Sequence, residues 1–186
     1  MVNVKLNLPI LEKLSDCNNI LIAGMGGGFD VFCGLPIYFE LINRGKKVHL
    51  ANFSFSDITS LRDGVQLTPS LVGVSSDLKD IGIYFPEKYL SKWFREQQNS
   101  EIIIWCFQKT GVRPLFNNYH ILLDHLSIDA ILLIDGGVDS LIQGDEEGVG
   151  TVVEDAISLY VVNEMDHIPV RILATVAFGA EKNISY

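Results

Sequence analysis

Four glycines fill five positions, at Gly24, Gly26, Gly27 and Gly28, and Asp30 closes the run. Backbone this bare of side chains can turn its N–H groups outward. At the start of a helix those groups can hold an anion or a developing oxyanion. The plainer duties of the same residues are a tight turn with close helix–strand packing and, for Asp30, a helix cap. The phosphate-loop pattern GxxxxGK[ST] is absent, and no Lys or Arg lies within the loop. Gly24 and Gly26 match two positions of the dinucleotide pattern GxGxxG, but Phe29 stands in the third. The next apolar run ends on Asn52, where an acid would be needed to hold a ribose. Ordinary NAD is therefore not expected as a cofactor.

A second block carries acids. Asp135 follows the apolar run Ala130–Ile134, then come Gly136 and Gly137, Asp139, Gly144, Asp145, Glu146, Glu147, Glu154 and Asp155. Carboxylates so grouped can ligate a divalent cation such as Mg²⁺, for which Asp135, Asp139 and Asp145 are the candidates. They can also hold an amine or guanidinium, or supply a general base whose pKa is raised by like-charged neighbours. Asp30, Asp135 and Asp139 are the candidate catalytic groups. Plainer readings stand beside these. Thr151-x-x-Glu154 is a capping box, Asp155 suits the first turn of a helix, and Asp145–Glu147 reads equally as a solvated loop. The spacing does not match the twelve-residue calcium loop.

Other chemistry is thinner. His120 and Asp124, four apart, share a helix face and read as a surface pair before a catalytic dyad. His49 lies in an apolar run and reads as structural. Neither GxSxG nor HExxH occurs. Cys17, Cys33 and Cys106 are odd in number, widely spaced and without an adjacent base, which argues against a disulfide framework, a zinc knuckle or a thiol nucleophile.

These residues need elements to hold them. Leu8–Leu14 suits a short helix with Pro9 in its first turn. Asn19–Ala23 reads as a buried strand ending in the glycines. Asp30–Asn43 reads as a helix with Gly45 just past its end, where Pro36 should bend it or mark a first turn. Lys47–Asn52 is the next strand. Phe53–Asp80 shows no sustained period and reads as an excursion over the strand ends, with a short hairpin around Val65–Gly73. Pro86–Gln98 is a helix with Tyr89, Leu90, Trp93 and Phe94 inward. Glu101–Phe107 is a strand, Pro114–Leu126 a helix, Ala130–Ile134 a strand, Thr151–Glu164 a helix and Val170–Phe178 a strand. The alternation predicts a single α/β domain over 1–186, Rossmann-like and doubly wound, with a mostly parallel sheet of about five strands. Ligands of such sheets bind at the carboxyl ends of the strands.

The totals bound the rest. The chain has 186 residues, 48% apolar and 20% charged, a globular composition with length enough for a core. No apolar run approaches a membrane span, the N-terminus lacks a secretory core, and a cytoplasmic location is expected. The net charge of −9 argues against a nucleic-acid partner. Between Pro114 and Val170 there is no Lys or Arg, while eleven Asp or Glu occur, so those carboxylates have few local cations.

GMGGGFDVFCGLPIYFEL and IDGGVDSLIQGDEEGVGTVVEDAISL together resemble the family catalogued as domain of unknown function 1152. That family opens on Gly-Gly-Gly-x-Asp. Its acidic signature runs from Gly-Gly-x-Asp through Gly-Asp-Glu to Glu-Asp-Ala. The resemblance covers about Asn19 to Phe178. It implies a Rossmann-like fold and no established activity. It points to Gly26, Gly27, Gly28, Asp30, Asp135, Gly136, Gly137, Asp139, Gly144, Asp145, Glu146, Glu154 and Asp155. Val138 departs from the Thr many relatives carry, which weakens any role for a hydroxyl there. Members run longer, so the chain is read as a short member or the N-terminal part of a longer protein.

The expected function is binding of a small polar metabolite (a sugar, a nucleoside or a zwitterion), with hydrolysis or group transfer more natural than redox chemistry. Two alternatives stand beside it. One is a non-catalytic small-molecule-binding or regulatory domain. The other is an interaction protein that forms a homo-oligomer through Tyr89, Trp93 and Phe94.

Overall fold

A computed structural model of the chain describes residues 9–61, 63–79, 84–137, 139–141 and 152–176, with the side chain of Asp139 outside that set. The elements in order are α1 (Pro9–Lys13), β1 (Asn19–Gly24), α2 (Asp30–Cys33), α3 (Leu35–Asn43), β2 (Lys47–Ser54), β3 (Val65–Thr68) and β4 (Leu71–Val74). Then follow α4 (Pro86–Gln98), β5 (Ile104–Gln108), α5 (Val112–Leu126), β6 (Ala130–Asp135), a 3₁₀ turn at Asp139–Leu141, α6 (Val152–Asn163) and β7 (Val170–Thr175).

The strands form one sheet in the order β3-β4-β5-β2-β1-β6-β7. Among the described residues the sheet thus has seven strands, where about five were expected. Its parallel part is the five strands β5, β2, β1, β6 and β7. The other two are the hairpin expected around Val65–Gly73, within the segment read as an excursion. β3 and β4 form a hairpin, and β4 joins β5 antiparallel, with Leu71 opposite Phe107. Ile58, Leu61, Val72, Val74, Leu78, Phe85 and Cys106 bury a small core beneath it. Much of Phe53–Asp80 is therefore sheet edge with packing of its own. β3 is short and carries a register irregularity at Gln66/Thr68, features that blunt an exposed edge.

The two sheet faces are covered separately. On β1, Leu21 and Ala23 belong to one core with Leu115, Tyr119 and Leu122 of α5 and Val161 and Val162 of α6. Ile20 and Ile22 belong to another with Val31, Ile37, Tyr38 and Leu41 of α2 and α3 and Leu90 and Phe94 of α4. The alternation follows from the strand period of two. Both faces are buried, which is why these strands read as continuous apolar runs.

Two helix expectations need correction. The helix read over Asp30–Asn43 is two helices, interrupted at Gly34, with Pro36 in the first turn of the second. The inward face of α4 is Glu87, Leu90, Ser91 and Phe94, while Tyr89 and Trp93 are exposed. Phe94 is core, packed against Tyr38 and Phe39.

Candidate functional site at the carboxyl edge

β1, β2 and β6 end side by side, with Gly24 paired to Asn52 and to Ile134. The loop from Met25 to Phe29 starts on that edge. Met25 N–H donates to Ile134 O at 3.0 Å, which holds the loop against β6. Ser158 of α6 donates to Met25 O at 2.7 Å and closes the other side. Gly27 and Gly28 have φ of +99° and +57°, a backbone that L side chains rarely adopt. A Cβ on Gly27 would also lie 2.5 Å from the Phe55 ring.

Asp30 joins the two sequence-distant turns. Its Oδ2 accepts from Gly26 N–H at 2.7 Å and its Oδ1 from Gly136 N–H at 3.0 Å. A Cβ on Gly136 would fall 2.9 Å from that Oδ1 and 3.0 Å from Cys33 Sγ, so the approach needs glycine. Asp30 does not cap its helix, whose preceding residue is Phe29. It staples the glycine loop to the turn after β6.

Asp135 is buried at the end of β6. Its Oδ1 accepts from Gly137 N–H at 2.9 Å, and its Oδ2 accepts from Ser140 N–H at 3.2 Å and from the Ser140 hydroxyl. Its carbonyl accepts from Val176 N–H at 2.8 Å. The carboxylate folds the following turn back on itself. Cys33 lies between the two acids. Its thiol pKa is raised by burial, then by Asp30 and Asp135, which suits a thiol that is not a nucleophile.

Glu154 and Asp155 arrive from the first turn of α6. Glu154 pairs with Lys109, whose ammonium lies 5.3 Å from the centre of the Phe55 ring. Asp155 is buried. Asp145, Glu146, Gly144 and Thr151, and the Asp139 side chain, lie outside the described residues. Among the described residues no group of three or more His, Cys, Asp or Glu is placed to hold a metal ion.

Two features escaped the sequence reading. The first is Glu87, fully buried in the first turn of α4. Asn52 Nδ2 donates to Glu87 Oε1 at 2.8 Å and to Gly28 O at 3.2 Å. Among the described residues, Glu87 Oε2 and Asn52 Oδ1 have no hydrogen-bond partner. Burial raises the Glu87 pKa, while Asn52 and Ser54 beside it pull the other way. Asn52, near the end of β2, thus links the buried Glu87 of α4 to the glycine loop. The signal for Glu87 was available: Glu87, Leu90, Ser91 and Phe94 share one helical stripe.

The second feature is aromatic. Phe29, Phe55 and Tyr84 are exposed large side chains around the loop. Phe29 meets the Tyr84 ring edge-on at 6.2 Å, and a Cβ on Gly28 would lie 3.8 Å from the Tyr84 hydroxyl. No sequence period links these three residues; only the fold gathers them.

The weaker candidates resolve simply. The His120 ring stacks on His167 at 4.8 Å and meets Phe116 edge-on, with no hydrogen bond to Asp124 among the described residues. Cys17, Cys33 and Cys106 are free thiols. No described helix is long and apolar enough to cross a membrane. No family model, curated protein or solved structure matches this chain.

Proposed function

We propose that the carboxyl edge of β1, β2 and β6 is a binding site for a small, polar, ring-bearing metabolite, a sugar or a nucleoside. The observation that carries this is the Asp30 carboxylate bonded to both Gly26 and Gly136, which sets the glycine loop and the acidic turn on one rim. Exposed Phe29, Phe55 and Tyr84 offer a ring faces to stack on, and backbone N–H groups offer its oxygens donors. Strand order reverses at β1, as at the ligand crevice of a doubly wound, Rossmann-like sheet, and we read the fold so. The resemblance to domain of unknown function 1152 rests on the same two blocks. Three free thiols suit a reducing, cytoplasmic setting.

Binding without catalysis is favoured by one specific observation. The Asp30 and Asp135 carboxylates are each engaged by backbone N–H groups, so both act on the turns they hold. Hydrolysis or group transfer would draw on Asp139, Asp145 or Glu146, with or without Mg²⁺.

Amide spectra of the whole chain titrated with a panel of free sugars and nucleosides test the site. Saturable shifts are expected at Gly26–Phe29 and Gly136–Gly137, weakened in Phe55→Ala. A panel that leaves these amides unmoved, with and without Mg²⁺, overturns the proposal. Turnover of a bound compound, rather than its retention, would decide for an enzyme.

A further inference from the structure

The opposite, amino-terminal edge of the sheet carries a cleft of about 380 Å³ lined by Lys47, Val48, His49, Glu101, Ile103 and His125, with Trp105 and Tyr38 at its walls. Its origin is a gap in the sheet. β2 begins at Lys47, but its pairing with β5 begins only at Leu50 opposite Ile104. The chain before Ile104 is drawn aside, because buried Ser91 of α4 captures the carbonyl of Ile102 at 2.9 Å. Lys47 N–H donates to Asn18 O at 2.8 Å, so Lys47 and His49 turn their peptide groups toward β1. By the alternation of a strand, Val48 turns its N–H and C=O the other way, into the cleft. No described residue across the gap bonds to them.

A residue in this position offers a donor and an acceptor side by side. The complement is a flat group with an acceptor next to an N–H, as on the pairing edge of a pyrimidine or purine. The volume lies at the small end of ligand pockets, suited to one or two fused rings and too small for a helix or a folded partner. The apolar surface of Ile103 and Leu126 suits the faces of a ring. His49 is held by Asn19 Oδ1 at 2.9 Å. Its pKa is lowered to about 4 by burial, then by Lys47 and His125, so the His49 ring is uncharged at neutral pH. Lys47 and Glu101, both exposed, contribute opposite charges to the lining, which gives no net preference for an ionic ligand.

We infer that this cleft is a second ligand site, which takes an uncharged planar heterocycle by pairing its donor–acceptor edge with the peptide groups of Val48. The inference is independent of the carboxyl-edge site, and the two are read at different amides.

The whole chain is titrated with 1-methyluracil and, separately, with 1,3-dimethyluracil, which replaces the N3–H by a methyl group. The first should give a saturable shift of the Val48 amide. The second should bind about tenfold more weakly, the effect of one lost hydrogen bond at a desolvated edge. Ile103→Trp, which fills the cleft, should abolish the Val48 shift. The wild-type comparison of the two probes stands by itself if that variant does not fold. An unmoved Val48 amide overturns the inference, as do equal affinities for the two probes. Shifts confined to Gly26–Phe29 would also overturn it, and would bear only on the carboxyl-edge site.

Discussion

Asp30 shows how much one carboxylate can organise. It serves two N–H donors that lie far apart in sequence, one from each turn of the candidate site. Asp30→Asn keeps one acceptor and turns an N–H₂ group toward a backbone N–H. The expected loss is about 1–3 kcal/mol, read as a lowered melting midpoint and faster hydrogen exchange at Gly136. An unchanged Gly136 amide would contradict the staple. Two titrating groups, Glu87 buried and His49 half-buried, act on stability with opposite signs. The Glu87 pKa is raised above its ordinary 4.5, so above that pH the folded state holds more protons than the unfolded chain. Stability then falls as pH rises from 4.5 through the raised value, and Glu87→Gln should flatten that fall. The His49 pKa is lowered from 6.5 to about 4, so there the unfolded chain holds more protons. Its contribution is present above pH 6.5 and is lost on acidification toward pH 4. His49→Gln should reduce that acid-side loss. Urea midpoints of both variants across pH 4–8 separate the two slopes, and parallel curves for wild type and variant would refute either assignment.

At the scale of elements, the β3–β4 hairpin depends on a helix. Asn118 of α5 is buried, accepts from the Thr68 hydroxyl at 2.8 Å, and donates to Ser70 O at 3.1 Å and Ser70 Oγ at 2.9 Å. One amide thereby fixes the turn that places two strands on the sheet. Asn118→Ala should cost about 1–2 kcal/mol and raise hydrogen exchange in β3 and β4 more than in β1 or β6. A uniform rise would show that the hairpin is not held locally. The same hairpin marks where sequence reading thins. Short apolar runs flanked by glycine announced β1 and β6, because strands buried on both faces need no alternation. The hairpin itself, expected around Val65–Gly73, is found as β3 and β4, but no local pattern says that it extends the main sheet. Leu71–Val74 becomes a strand because β5 lies beside it, which is a tertiary cause. The interruption at Gly34 was hidden because apolar spacing continues across it; only Pro36 hinted at a new first turn. On α4 the bulk of Tyr89 and Trp93 misdirected the reading of its inner face, and Glu87 went unremarked as an acid suited to a helix start. For the site, residue types located both turns, and Asp30 was a candidate on spacing alone. The rim of Phe29, Phe55 and Tyr84 and the pair Asn52–Glu87 come from separate elements, so no local pattern could announce them.

Across the whole molecule, a net charge of −9 accompanies a sheet whose two faces are closed by helices. Self-repulsion of this kind is screened by salt. The melting midpoint should rise between 0.01 and 0.15 M NaCl, ionic strengths at which the Debye length falls from about 30 to about 8 Å. A midpoint that falls would mean that surface ion pairs, such as those of Arg95 with Asp77 and Glu101, outweigh the repulsion. The Asp30–Gly136 contact carries a further consequence, one of timing. Its partners are 106 residues apart, and the turn it secures is backed by Val176 on β6's far side. During synthesis, then, the glycine run leaves the ribosome long before the residues that give it shape. Closing such distant contacts is slow compared with forming a helix. The rim should be among the last parts of the chain to mature, and the Gly136 amide a natural clock for the end of folding.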